Sequence, residues 1–279
     1  MRKERNTDVT QKENFDSDSD AAANADIDDV LQSLPSALAI SWGYVKQQKR
    51  GPKGELSIKM IVDAAIAIAD KDGLSAVSMN RVAQSLGYSA MSLYRYIQSK
   101  EDLILLMQEA VCAYDVPPIS EDEDWREGLR DFVRVTASVF CAHPWFGDIP
   151  VSGVPMTPNH LQIVDWALRS LRNMPFNDYE KMSFVLLVSS YARSVGLIQR
   201  DMILAVRAGK TPEAFSGLSY TGALKQLVTA DAYPDLHPVV ESGVYTGENE
   251  VENTVGNDFD FGLERILDGI QVYLERKRL

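Results

Sequence analysis

Wherever apolar residues recur in this chain they do so at steps of three and four, and no stretch sustains the two-residue alternation of a half-buried strand. That pattern restricts the chain to helices packed on helices. From Ser57, the positions Ile58, Ile61, Val62, Ala65, Ile66 and Ala69 form one apolar stripe, and Gly73 ends it. Ser78 is placed to cap a second helix with Val82, Ala83 and Leu86 turned inward; Gly87 closes it, since a residue without Cβ accepts a left-handed turn. Ser89 is placed to cap a third, through Leu93 to Ile97. Ser99 with Asp102 three residues on resembles a capping box and opens a fourth along Leu103, Leu106, Met107, Ala110 and Val111, before Pro117-Pro118.

The rest of the chain reads as helical too. Trp125, Leu129, Phe132, Val133, Thr136 and Phe140 share a face that ends at His143-Pro144. Thr157-Pro158 begins another helix, with proline in the first turn where its missing N–H costs nothing. Asn177 with Glu180 starts a longer one, and Leu263, Ile266, Leu267, Ile270, Tyr273 and Leu274 make a last amphipathic helix. The predicted fold is all-α: an N-terminal helix-turn-helix domain of three to four helices plus a larger helical ligand-binding and dimerisation domain. Its predicted divisions are a mostly disordered N-terminal extension over 1–45, a helix-turn-helix DNA-binding domain with a basic arm over 46–115, and an effector-binding and dimerisation domain over 116–279. Residues 1 to about 27 are too polar to offset the entropy of ordering them.

Charge then separates these parts by function. The 279 residues carry a formal net charge of −12, yet Lys46 to Lys100 holds nine basic and four acidic residues, a local +5. A basic island in an acidic chain points to a local polyanion site. With 45% hydrophobic residues the chain can fill a core, while no run approaches the ~18 consecutive apolar residues of a membrane span and no export signal follows the charged start. A cytoplasmic protein is expected. Cys112 and Cys141, without a CxxC, read as thiols with no structural task.

Within the basic island, Ser78 to Ile97 has the spacing of a helix-turn-helix: Ala83 where two helices cross, Gly87 at the turn, and Val82, Leu86, Leu93 and Tyr96 holding the pair together. Ala90, Met91, Ser92, Tyr94 and Arg95 are left to face outward. Short side chains in the first turn let a backbone enter the major groove, where Ser92 can bond a base edge or a phosphate and Ala90 or Met91 can touch a thymine methyl. Arg95 has the reach for a guanine edge or for a phosphate, and the sequence leaves both open. Tyr94 and Tyr96 offer hydroxyls to phosphates, and Lys100 adds charge at the positive end of the next helix. Lys49 and Arg50 read as an arm for a minor groove or as a solvated linker.

The run from Ile61 to Met107, with Gly87-Tyr-Ser-x-x-Ser-Leu-Tyr94-x-Tyr96 followed by Ser99-Lys100-Glu-Asp-Leu as its most specific piece, resembles the DNA-binding domain of tetracycline-repressor-type (TetR/AcrR) regulators. The resemblance covers about Ser57 to Ala113. It implies DNA contacts at Ser78, Arg81, Ser89, Met91, Ser92, Tyr94, Tyr96 and Lys100, with Arg95 at a variable recognition position. It also implies a homodimer, a palindromic double-stranded DNA operator and a helical effector domain. Ile97 stands where many members have Phe. The segment HPWFGDIPVSGVPMTPN resembles the tetracycline repressor's own effector domain, but no His lies between Leu103 and Val116 to match that family's drug and magnesium ligand.

For an effector pocket the residues of interest are His143, Trp145, Trp166 and Arg193, with Tyr191 and Gln199 behind them. A polar group on an apolar helix face requires a partner, which is either a small molecule or another side chain. The reading is a ligand-responsive transcriptional regulator, taken as a repressor released from its operator by a small molecule, with no membrane partner; the sequence itself leaves repression and activation both open. The alternatives are a helical interaction module without ligand response, and an enzyme. Against an enzyme, RAGKT at Arg207 to Thr211 lacks the glycine a phosphate loop needs, and no GxSxG, HExxH or paired metal spacing occurs. No catalytic residue, metal or cofactor is expected.

Overall fold

The structure is a computed structural model that describes residues 30, 33–44, 56–116, 124–151, 153–154, 156–209, 218–247 and 257–278. Most of the 1–45 extension and the Lys49-Arg50 arm lie outside them. The chain divides into two units, Met1–Tyr114 with Ser152–Gln162, and Asp115–Val151 with Ile163–Leu279. All regular elements among the described residues are helices.

The first unit is built on caps that the sequence supplies locally. Helix α1 (Ser36–Ser41) packs on α5 (Lys100–Val111), and α2 (Ile58–Asp72) packs on both α5 and α3 (Met79–Leu86). Ser57 accepts the Met60 N–H, Ser78 the Arg81 N–H and Ser99 the Asp102 N–H, so each helix begins with one orphan donor satisfied. Gly73 (φ 83°) and Gly87 (φ 76°) end α2 and α3. The helix after the Gly87 turn is short: α4 is regular only over Ala90–Leu93 and continues as a turn to Tyr96. Ile61, Val77, Val82, Leu93, Ile97, Leu103 and Met107 are completely buried in this unit.

In the second unit, α6 (Trp125–Ala142) and α8 (Asp178–Arg207) pack along each other, joined by α11 (Asp258–Arg278) and the later turns of α7 (Pro158–Ser170). Asn177 and Glu180 form the full reciprocal capping box at the start of α8. Helices α9 (Leu218–Leu227) and α10 (His237–Glu241), which lie in the Gly- and Pro-punctuated stretch where apolar spacing is broken, pack on one another. Leu129, Phe132, Trp166, Leu171, Val188, Ala192, Leu267 and Ile270 form the core, with the Phe132 and Trp166 rings edge to face at 6.0 Å.

Two features fix the approach of these helices. At Gly196 a Cβ would lie 2.9 Å from the Ala137 carbonyl oxygen and against the Phe140 ring, so only glycine lets α8 come this close to α6. On the rim, Arg126 reaches Glu264 and Asp268, while Arg130 grips both oxygens of Glu264 at 2.6 and 2.8 Å. The Arg130 hydrogen bonds, helped by Arg126, pull the Glu264 carboxyl down to about 2 from its ordinary 4.5.

Gly196→Ala is expected to cost about 1–3 kcal/mol by overpacking the α6–α8 seam, seen as a lower midpoint in urea unfolding. Because the folded-state pKa of Glu264 lies below its unfolded value, its contribution is complete above 4.5 and disappears as pH falls toward about 2. Arg130→Met is expected to cost about 1–2 kcal/mol at neutral pH and progressively less as pH falls from 4.5 toward about 2, so that the acid-unfolding curves of the two proteins approach one another.

Candidate nucleic-acid interface and effector cavity

The segment from Gly87 to Ile97 is shaped by two constraints. Gly87 adopts the left-handed conformation (φ 76°, ψ 23°), and its N–H and that of Tyr88 return to the Ala83 carbonyl, which ends α3 in one residue. A Cβ at Gly87 would meet nothing within 4 Å, so the backbone angle alone requires glycine there. Beyond the turn, Leu93 and Ile97 are fully buried, and the Tyr96 and Ile97 N–H groups both bond the Leu93 carbonyl. Two buried side chains four apart hold one side of α4 inward.

The opposite side is therefore presented to solvent. Met91 is 73% exposed and Tyr94 46%, Arg95 is exposed, and Ser92 and Tyr96 are half-buried. Ser89 stands at the cap position, but its hydroxyl lies 3.0 Å from the Ser92 hydroxyl and makes no capping bond to the backbone. The expected Ser89 cap is thus replaced by a serine pair at the leading edge. Ser78 is committed to its cap through its acceptor lone pair and keeps its O–H to donate. Arg81 is paired with Asp72, and both remain partly exposed. Lys100 is half-buried in the first turn of α5. Tyr88, exposed directly after the glycine turn, is a further aromatic on this edge that the apolar spacing gave no reason to single out.

The six residues of interest for an effector do not form one site. Trp166 belongs to the main core, where its Nε1 is buried without a hydrogen-bond partner among the described residues. Trp145 is buried and stacks near His143 and Phe146, at 5.9 and 6.2 Å between ring centres. Arg193 lies over the Phe140 ring at 5.5 Å and donates to the Ile149 carbonyl. Tyr191 and Gln199 instead line a cavity of about 230 Å³ between α6, α8 and the start of α11, with Val133, Ala137, Cys141 and Leu263. Tyr191 donates to the Phe259 carbonyl at 2.6 Å, which pins the first turn of α11 over this space. The apolar periodicity could not give that cavity, because its polar wall comes from Asn257 and Asp260, beyond the part of the chain where α11 is periodic.

The second part of the chain matches the family described as tetracyclin repressor-like, C-terminal domain, over residues 117–274, and the first matches the bacterial regulatory proteins, tetR family, over 61–107. The chain belongs to the tetR family. It is a DNA-binding transcription regulator and not an enzyme. It is similar to the HTH-type transcriptional repressor DrrR1 of Streptomyces coeruleorubidus, 31% identical over 249 residues that make up 88% of each chain. Among solved structures it is similar to ActR of Streptomyces coelicolor, both in complex with actinorhodin (26% identity, TM-score 0.65, 79% of this chain and 98% of that one) and without ligand (26%, 0.62, 79% and 97%). Among the described residues no group of three or more His, Cys, Asp or Glu is arranged to hold a metal ion.

Gly87→Ala is expected to cost about 1 kcal/mol, the price of a left-handed angle with no clash added, whereas Ala83→Leu should cost about 1–3 kcal/mol because that site is 1% exposed at the helix crossing. Chemical denaturation of the two variants separates the mechanisms.

Proposed function

We propose that this tetR-family regulator is a repressor that binds a palindromic operator as a homodimer and leaves it when a small molecule enters the second unit. The observation that carries the DNA contacts is the division of α4: Leu93 and Ile97 interred on one side, Met91, Ser92, Tyr94 and Arg95 presented on the other. On this reading Ser89 and Ser92 take base edges or phosphates, Met91 meets a thymine methyl, and Tyr94, Tyr96, Ser78, Arg81 and Lys100 clamp the backbone. Lys49 and Arg50 supply the arm. Such a protein works in the cytoplasm, where it meets chromosomal DNA.

Surplus apolar surface supports the dimer. Helix α8 is long and apolar enough by composition to cross a bilayer, but only 28% of that stretch is buried, with Leu186 and Met202 69% and 62% exposed. The helix also carries a polar capping box and an Arg200 pair to Asp148 and Asp201, so a second copy suits this face better than lipid. Val272 and Tyr273 add exposed apolar surface on α11. Similarity to DrrR1, a named repressor, supports repression rather than activation.

For the effector, the cavity beside Tyr191 and Gln199 offers apolar walls with a few polar groups, the pattern of a small-molecule site. We place a partly apolar, hydrogen-bonding effector there, and actinorhodin, present in the ActR complex, is the first probe. His143, Trp145, Arg193 and Trp166 then act as the packing around the site.

Selection of DNA from a random pool by the purified protein is expected to return a palindrome; recovery of single half-sites bound equally tightly would overturn the dimeric reading. Arg95→Ala should weaken operator binding by about 1–3 kcal/mol and relax one base position if it reads a base; equal weakening for every sequence makes it a phosphate contact. Gln199→Ala should raise the actinorhodin concentration needed for release about tenfold with operator affinity unchanged, and absence of release from the unmodified protein would remove this effector class.

A further inference from the structure

Helix α5 ends at Val111, two residues after Glu109, so the Glu109 carbonyl is among the last four of that helix and has no partner within it. Helix α7 begins at Pro158, so the Asn159 N–H is among the first four of that helix and is equally unpartnered within it. These two deficits meet. The Asn159 backbone N–H donates to Glu109 Oε1 at 2.9 Å, and the Asn159 side-chain amide donates to the Glu109 carbonyl oxygen, also at 2.9 Å. Each helix thus caps the other, across 50 residues of sequence.

The surroundings hold this arrangement in one geometry. Glu109 is 9% exposed, a rare degree of burial for a carboxylate, and its Oε2 lies 3.7 Å from His160 Nδ1. Thr157 Oγ1 sits 2.9 Å from that same ring nitrogen, and Cys112 Sγ lies 3.4 Å from Nε2 on the other side. Burial raises the Glu109 carboxyl, but His160, Thr157 and the Asn159 N–H together outweigh it and hold it below the usual carboxylate range. A second brace lies one turn upstream, where the Trp42 indole donates to the Met156 carbonyl at 3.0 Å.

We propose that the reciprocal cap between Glu109 and Asn159 is the joint that fixes the angle of α5, and with it the reading segment, to the first turn of α7. The reason for assigning it this task is the path of α7. Its first turn packs with the reading unit, while Trp166 and Ala167, two turns on, are core residues of the effector unit. A movement of α7 that breaks one of the two hydrogen bonds breaks the other, because both end on Asn159. Glu109 and Asn159 are positioning residues: they hold the reading segment in place and touch neither DNA nor effector. Their part in regulation rests on the reading given under Proposed function, but the joint itself does not.

The test uses the full chain with ketone-bearing residues at Gln98 and Gln162, both exposed and both in the first unit, for spin labelling, which leaves Cys112 and Cys141 intact, diluted with unlabelled protein. In the unmodified protein the distance distribution between the labels is expected to be narrow. Glu109→Ala and Asn159→Ala should each broaden it, the double variant no more than either single one, and Glu109→Gln, which keeps the Oε1 acceptor, should restore most of the narrow form. Unchanged widths overturn the proposal, and so does an additive double variant. A second reading uses the operator selected by the unmodified protein, with its spacer lengthened by one base pair. The unmodified protein should bind it at least tenfold more weakly than the original, the Ala variants less than threefold, with affinity for a lone half-site unchanged. Full spacing discrimination in the Ala variants overturns the joint, and loss of half-site affinity makes the cap merely structural. If no DNA is selected, the regulator reading fails, while the label distances still decide for or against the joint.

Discussion

A helix of four residues has no stability of its own, because the first turn fixes several dihedral angles for a single hydrogen bond. Helix α4 therefore exists only because its neighbours impose it. Gly87 delivers the chain at a left-handed angle, and Leu93 and Ile97 lock the far side into the core formed with Val82, Leu103 and Met107. Which side chains face solvent depends on that imposed geometry, since Met91, Tyr94 and Arg95 are outward, with Ser92 beside them, only while those two apolar residues are inward. The energy for presenting a polar edge comes from the apolar one behind it.

The second unit solves a different problem, that of a helix with more apolar surface than one protomer can cover. The inner side of α8 is used up against α6 and α11, where Val188, Ala192 and Gly196 allow close approach and the Arg126 and Arg130 cluster fastens α6 to α11 at the rim. The outer side retains Leu186, Leu187, Ile198 and Met202. Burying that remainder at about 25 cal/mol per Å² of apolar area is a strong drive toward association, whereas the ion cluster, worth much less per contact, serves chiefly to set register. Hydrophobic area fixes that two copies meet; the polar contacts fix how the helices beneath them are aligned.

What could be read in the sequence was whatever is decided within one helical turn. The caps at Ser78, Ser99 and Asn177 and the stops at Gly73 and Gly87 are local chemistry, and each stands where the residue types demanded it. The helical fold class followed from apolar spacing for the same reason. Ser89 was misleading because two serines three apart can satisfy each other as readily as one can satisfy the backbone. The effector residues scattered because a polar group on an apolar face announces only that it has some partner: Arg193 found Ile149 and Phe140, while Tyr191 found Phe259. The Glu109 and Asn159 pair left no local trace, since a glutamate near a helix end and an asparagine after a proline are common in any surface, and only the fold brings them together.

Magnitude decides whether such a pair can matter for regulation. Effectors act through coupling energies of about 1–3 kcal/mol, and they can shift a protein only by the difference in their affinity for its two arrangements. A hydrophobic core cannot be graded in that range, because displacing even one large buried side chain costs more. A single exposed ion pair falls below it. Two part-buried hydrogen bonds to the ends of two helices, one of them to a carboxylate, come to about 2–4 kcal/mol together and so overlap the upper part of that range, and because both end on Asn159 they are made or lost as one. On the joint proposed above, such a size is firm enough to hold α5 against the first turn of α7 and small enough for the coupling energy of one bound molecule to offset.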